Sequence, residues 1–95
     1  MRFFPFTTDI PTAGTRVQIS ALNERVKIIH FHARVGNTGN TYVGDVTVSS
    51  AVGGIEFQPN ESRTIDFGQG TVLLTTFYVD AATNGDDIDG WALLE

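Results

Sequence analysis

Turn-forming residues interrupt this chain at short intervals, and that spacing limits what it can fold into. Gly, Pro and Asn signals recur along the chain, for example at Pro11–Gly14, Gly36–Asn40 and Asn84–Asp87. Between them lie short runs rich in Val, Ile, Thr, Phe and Tyr, the residue types that suit a pleated, half-buried surface. Short strands separated by such turns are typical of a β-sandwich or β-barrel.

The candidate strands follow from these runs, and helix is poorly supported. The strands are expected at Arg2–Thr7, Thr15–Ser20, Val26–Val35, Thr41–Val43, Asp45–Ser49, Gly54–Phe57, Ser62–Phe67, Thr76–Asp80 and Trp91–Leu94. Ile19–Val26, with Ser20 as its N-cap, and Asp80–Asn84 are at most single helical turns. We therefore predict an all-β fold, a small antiparallel β-sandwich, jelly-roll-like or Ig-like, with about eight short strands.

Alternation along Val26–Val35 predicts which side chains face the core. One face is mostly apolar and carries Lys27, Ile29, Phe31, Ala33 and Val35. The other face becomes polar toward its C-terminal half and carries Val26, Ile28, His30, His32 and Arg34. We expect the first face to pack inward. Trp91 is expected to anchor the core, and Tyr42 and Tyr78 to form hydrogen bonds at its rim.

The chain length of 95 residues allows one core and therefore one domain, 1–95. Within it, residues 1–14 are expected to form an N-terminal arm or a first edge strand. No apolar run approaches the ~18 residues of a membrane span. Met1–Asp9, with one Arg and a proline among its aromatics, does not have a signal-peptide pattern. The absence of cysteine excludes a disulfide framework and a cysteine nucleophile.

The net charge of −5 is concentrated near the C-terminus. Residues 1–75 contain six basic and six acidic residues, whereas the remaining five acidic residues, and no Lys or Arg, lie in 76–95. A chain without a basic patch cannot neutralise many phosphates. Nucleic acid and anionic membrane surfaces are therefore not expected partners.

Two groups of polar residues have some features of metal ligands. His30 and His32 are spaced i, i+2, so on a strand they project from the same face, but no third ligand is apparent. Asp86, Asp87 and Asp89 lie in N-G-D-D-I-D-G, which is similar to a calcium loop but lacks the bidentate Glu at its twelfth position. The alternatives are polar residues on an outer face and an Asn-Gly hairpin turn with solvated carboxylates. No metal or cofactor is predicted.

Signals for catalysis are weak, and no catalytic residue is predicted. No serine lies in a G-x-S-x-G elbow, and Gly36–Gly39 lacks the Lys and helix of a phosphate loop. A chain of this size leaves little volume for both a core and a deep cleft. We expect a protein that is not an enzyme.

The N-terminal aromatic residues predict a contact with a partner. Phe3 and Phe4 are consecutive, so on a strand they point to opposite faces and one ring can leave the core of its own subunit. Exposed aromatic residues on a terminal arm are often buried by a partner. Arg2, Phe3, Phe4 and Phe6 are the predicted partner-binding residues. The alternative is that this segment crosses its own sheet and buries both rings.

The order of motifs across residues 26–94 is more specific than the composition. It contains F-H-A-R-V-G-N-T-G-N-T-Y-V-G-D at Phe31–Asp45, the turn at Gln58–Ser62, Y-V-D-A at Tyr78–Ala81 and a closing strand at Trp91–Leu94. This order resembles small virion structural proteins of tailed bacteriophages. Asn60 stands where that family more commonly has Gly, and Asn also tolerates a left-handed backbone.

This resemblance implies a capsid decoration (cement) protein that stabilises the head lattice. Such a protein is expected to form a homotrimer, to bind the major capsid protein or another virion protein, and to be made in the host bacterial cytoplasm, where thiols stay reduced. The alternative is a tail, fibre or adaptor module with carbohydrate-binding capacity. Tyr42, Tyr78 and the carboxylates of Asp86–Asp89 would then contact the sugar.

Overall fold

The structure, a computed structural model, describes residues 1–51 and 53–95. Its strands are β1 (Arg2–Asp9), β2 (Val17–Gln18), β3 (Arg25–Ala33), β4 (Thr41–Gly44), β5 (Ile55–Phe57), β6 (Ser62–Asp66), β7 (Val72–Leu73), β8 (Tyr78–Ala81) and β9 (Asp87–Leu94). A single 3-10 turn, Leu74–Thr76, precedes β8. No helix in the described residues is long and apolar enough to cross a membrane. The prediction of a small all-β sandwich is confirmed.

Two antiparallel sheets form the sandwich. The main sheet has the order β1-β9-β3-β6, with β7 pairing to the start of β3. The second sheet has the order β2-β8-β4-β5. β9 lies between β1 and β3, so the N-terminal and C-terminal strands pair along their whole length, from Arg2 opposite Leu94 to Asp9 opposite Asp87.

The core lies between the two sheets and is built on aromatic contacts. Phe31 of β3 is fully buried, and its ring meets those of Phe6 and Phe77 edge-on, with centroid separations of 5.8 and 5.6 Å. Such pairs stabilise a core beyond the area that they bury. Alternation along β3 places Ile29, Phe31 and Ala33 inward, as predicted.

The predicted inner face of β3 is wrong at both ends. The register between β3 and β9 shifts between Val26 and Ile28, so Lys27 is the extra residue of a β-bulge. The bulge turns Val26 into the core, where it is fully buried, in place of Lys27. Val35 lies beyond the end of the strand and is 75% exposed.

Three further expectations differ from the structure. Asp45–Ser49 is a turn and not the expected strand. The Asp45 carboxylate accepts hydrogen bonds from the backbone amide of Thr47 at 2.9 Å and from the hydroxyl of Thr47 at 2.6 Å, which favours the turn. Ile19–Val26 forms no helical turn: Ser20 Oγ accepts from the Leu22 amide, two residues on. Asp80–Asn84 begins as the end of β8 and continues as a bend and turn.

Candidate functional site

The outer face of the main sheet carries aromatic and polar side chains that can contact a partner. Strand register arranges them in rows across β1, β9, β3 and β6. The rows are Phe3–Leu93–Ile28–Asp66, Pro5–Trp91–His30–Thr64 and Thr7–Asp89–His32–Ser62. The face thus changes from apolar at one end to polar at the other.

Three rings stack side by side on this face. Phe3 and Trp91 have centroids 5.6 Å apart with planes at 26°, and Trp91 and His30 have centroids 5.5 Å apart with planes at 12°. We call these three residues the ring row. Phe3 is 59% exposed and Trp91 is half-buried. Because β9 lies between β1 and β3, Phe3 and His30 flank the indole on opposite sides, so its edge faces outward while its two faces are covered.

The position of Trp91 corrects the expectation that it anchors the core. Along β9, Ile88, Ala92 and Leu94 are buried, and the alternating residues face outward. Trp91 shares its parity with Asp87 and Asp89. Residues two and four apart on a strand point to the same face, so this spacing already indicated in the sequence that Trp91 faces outward with the two aspartates.

His32 joins three parts of the chain through both of its ring nitrogens. Its Nδ1 is 2.8 Å from Asp89 Oδ1, and its Nε2 is 3.1 Å from Asn60 Oδ1. We call His32, Asp89 and Asn60 the histidine clamp. Both partner atoms are acceptors, so the doubly protonated ring satisfies the clamp best. The hydrogen bonds to Asn60 and Asp89 raise the pKa of His32, against partial burial and the nearby Arg34.

The turn that carries Asn60 has the backbone that the sequence predicts. Asn60 is at φ 70°, and it is the one non-glycine residue with positive φ in 1–51 and 53–95. Asn tolerates this left-handed region better than most residues. Its side chain is thereby held over β3 where it reaches His32.

The two histidines share the outer face, as the i, i+2 spacing predicts, but each has its own hydrogen bonds. His30 Nδ1 and Thr64 Oγ1 are 2.7 Å apart. Because both nitrogens of His32 are engaged, this ring has no free nitrogen with which to activate a neighbouring hydroxyl. No group of three or more His, Cys, Asp or Glu among the described residues is placed to hold a metal ion.

The acidic segment before β9 does not form the expected hairpin with solvated carboxylates. β8 belongs to the second sheet and β9 to the main sheet, so the segment crosses between sheets. Asp86 is only 5% exposed and accepts hydrogen bonds from the amides of Thr38 and Gly39 at 3.0 and 2.9 Å. Asn37 exchanges two hydrogen bonds with the backbone of Asp87. These residues fasten the β3–β4 turn to β9.

The carbohydrate-binding candidates do not come together in one place. Tyr42 and Tyr78 lie on β4 and β8 of the second sheet, whereas Asp87 and Asp89 lie on the main sheet. Tyr42 is buried, and burial followed by the neighbouring Glu56 raises the pKa of its hydroxyl. This residue therefore offers no open ring face.

The predicted partner-binding residues at the N-terminus separate between the two faces of β1. Phe3 points outward, and Arg2 is exposed with a guanidinium nitrogen 3.0 Å from Glu24. Phe4 packs partly buried against the core, and Phe6 lies inside it. Phe6 is a correction: alternation turns its ring inward onto Phe31, and at 9% exposure it offers a partner little surface.

A shallow, open groove of about 560 Å³ lies on the outer face between β1 and β3. Its lining includes Pro5 and Thr7 of β1, Asp89 and Trp91 of β9, and the two histidines. Comparisons with protein-family models, with curated proteins and with solved structures found no match. What this groove and the ring row can bind is therefore inferred from their own chemistry.

Proposed function

We propose that this chain is a non-enzymatic structural protein of a phage virion, a capsid decoration protein that attaches to the head through the ring row. The observation that carries the proposal is the stack of Phe3, Trp91 and His30 on the outer face of the main sheet, exposed at Phe3 and half-buried at the other two rings. Protein interfaces place aromatic residues at their centre and polar groups at their rim. Here the histidine clamp and Arg34 lie beside the rings. The sequence resemblance to small virion proteins supplies the virion setting.

The size of this face favours attachment in several copies. The four strands lie about 4.8 Å apart and have five to nine residues at roughly 3.4 Å per residue, which gives a face of roughly 500 Å². A standard stable interface takes about 800 Å² from each partner. A single copy is therefore expected to bind weakly. Linking the copies in a homotrimer would sum weak contacts into durable attachment.

Attachment through the face is favoured over addition of a strand to the edge of β1. Ile10 donates a hydrogen bond to the Asp86 carbonyl at 3.0 Å, which continues the β1–β9 ladder. Even-numbered residues of β1 therefore turn their backbone groups to β9, and odd-numbered ones, including Pro5, turn theirs to the free edge. Proline has no N–H to donate, so an incoming strand would lose a hydrogen bond at the middle of β1.

The first experiment is particle-based. Virions are purified and copies of this chain are counted per particle by quantitative mass spectrometry. Hundreds of copies support decoration, a dozen or fewer move the protein to the tail or neck, and absence from the particle refutes the proposal. The native mass in solution, compared with 10.3 kDa for one chain, tests for the trimer.

The second experiment tests the ring row itself. Phe3→Ala removes a ring that is 59% exposed, so the fold should be preserved while binding to particles that lack this protein weakens by about tenfold or more. Val35→Ala is the matched control, because Val35 is 75% exposed and lies outside the ring row. Equal binding by both variants would contradict attachment through the ring row.

Carbohydrate binding by a tail, fibre or adaptor module is the second candidate. The open groove beside Trp91 is the observation in its favour. Sugar platforms use a free aromatic face, however, and both faces of this indole are covered by Phe3 and His30. Saturable glycan binding that Trp91→Ala abolishes, together with a low copy number per virion, would replace the first proposal with this one.

A further inference from the structure

We propose that the groove beside Trp91 accepts an arginine side chain of the partner protein, with the carboxylate of Asp89 as its counter-charge. This inference rests on the proposed function in one respect, that the outer face of the main sheet meets another protein. It adds the chemistry of the contact: an apolar surface of the partner covers the ring row, and a guanidinium of the partner enters the groove.

The groove has room for such a side chain. Its volume of about 560 Å³ is open to solvent along one side. Trp91 and Pro5 form one end, and Thr7, Asp89 and His32 form the other. A long side chain can lay its methylene stem along the indole edge and place its charged end at the carboxylate.

The carboxylates around the groove have acceptor capacity that the chain does not use. Asp89 Oδ1 is taken by His32, but Oδ2 is 3.9 Å from Arg34 Nε, which is too long for a hydrogen bond. Asp87 Oδ2 is likewise 3.6 Å from Arg34 Nη1. Asp9 faces the same way and is exposed, and its carboxylate forms no hydrogen bond or ion pair within 1–51 and 53–95. These atoms can accept hydrogen bonds from a partner.

The balance of charge at this end of the face selects a cation. Three carboxylates, those of Asp9, Asp87 and Asp89, face one guanidinium, that of Arg34. The carboxylates exceed the guanidinium by two negative charges, and protonation of His32 reduces this excess to one. The chain as a whole carries −5, which favours the approach of a positively charged surface.

Arginine suits this groove better than lysine. Its guanidinium is planar and is less strongly hydrated than an ammonium. It also presents several N–H donors at fixed angles, so that it can bond to Asp89 Oδ2 and still reach the Thr7 hydroxyl. An ammonium would have to lose more of its hydration to enter a groove walled by Trp91.

The test uses the intact chain and two small probes of nearly the same shape, one with a guanidinium and the other with a neutral urea group in its place. Nα-acetyl-arginine methylamide and its citrulline analogue are titrated separately into 15N-labelled protein at low salt. The readouts are the Trp91 indole N–H and the backbone amides of Thr7 and Gly90. The arginine probe should give saturable shifts at these groups in the millimolar range, and 200 mM salt should weaken them because such contacts are screened.

Variants of the same face provide the controls. Asp89→Asn should weaken binding of the arginine probe at least fivefold, whereas Asp66→Asn, at the far end of the face, should leave it unchanged. Because Asp89→Asn also alters the histidine clamp, Asp9→Asn serves as a second variant outside that clamp and should weaken binding about twofold. The dispersion of the amide spectrum shows whether each variant is folded.

The outcomes separate this inference from the proposed function. Equal shifts with citrulline, shifts that do not saturate, or no effect of Asp89→Asn would overturn the arginine site. If Phe3→Ala still detaches the protein from particles, the proposed function stands without the arginine site. Saturable binding of the arginine probe by a chain that is absent from virions would refute the proposed function and keep the site.

Discussion

Replacing Gly90 with alanine tests how closely β9 is packed between β1 and β3. Gly90 lies opposite Phe6 on one side and Phe31 on the other. A Cβ at this position would overlap the carbonyl oxygen of His30 and come within 2.9 Å of the tip of the Phe6 ring. The first obstacle is backbone, so it cannot move without disturbing the β3–β9 pairing.

The expected cost is about 3 kcal/mol. Overpacking a closed site costs roughly 1–3 kcal/mol, and the upper end applies here because backbone has to shift. Disturbing the Phe6–Phe31 contact adds about 1 kcal/mol. Alanine restores roughly 0.5–1 kcal/mol, since it loses less backbone entropy than glycine on folding. For a domain of this size, a loss of 3 kcal/mol lowers Tm by roughly 12–24 °C.

The assay is urea and thermal unfolding followed by circular dichroism. Gly36→Ala is the matched control, because a Cβ there meets nothing within 4 Å and Gly36 does not have a positive φ. Its stability should stay within about 1 kcal/mol of the wild type. If Gly90→Ala loses less than about 1 kcal/mol, or no more than Gly36→Ala, the close packing of β9 described above is wrong.

Three further outcomes are expected. Asn60→Gly suits the φ of 70° but removes the acceptor for His32 Nε2, so NMR titration should show a lower pKa for His32 than in the wild type. A raised His32 pKa stabilises the fold below about pH 6.5, and this contribution is lost as the pH rises through the pKa of the folded state. The stability gap between Asn60→Gly and the wild type should therefore be larger at pH 5.5 than at pH 8.5. Asp86→Ala should cost about 3 kcal/mol in urea unfolding, since the amides of Thr38 and Gly39 lose a charged acceptor, whereas the exposed Asp66→Ala should cost less than about 1 kcal/mol. Phe31→Ala should cost about 4 kcal/mol by the same assay, and a loss below 2 kcal/mol would contradict its place at the centre of the core.

Local pattern was enough to predict the fold class and part of the candidate site. Short β-rich runs between turn residues predicted an all-β sandwich, and alternation placed Ile29, Phe31 and Ala33 inward. The i, i+2 spacing placed His30 and His32 on one face. Asn60 was expected to tolerate a left-handed turn and does so at φ 70°. Each of these properties depends on a residue and its near neighbours in sequence, which is why the sequence carries them.

The features that make the site depend on partners far apart in the chain. Trp91 belongs to the ring row only because β9 pairs with both β1 and β3, whose residues are about 60 to 90 positions away. Asp86 is buried because the β3–β4 turn folds over it. Lys27 lies outside the core, and Val26 inside it, because of a one-residue bulge in β3. Register and bulges are set by the packing of the whole sheet, and a shift of one residue exchanges the two faces of a strand. The sequence alone therefore determined that this chain is a sandwich, and the tertiary structure decided which of its faces carries the rings and the charges.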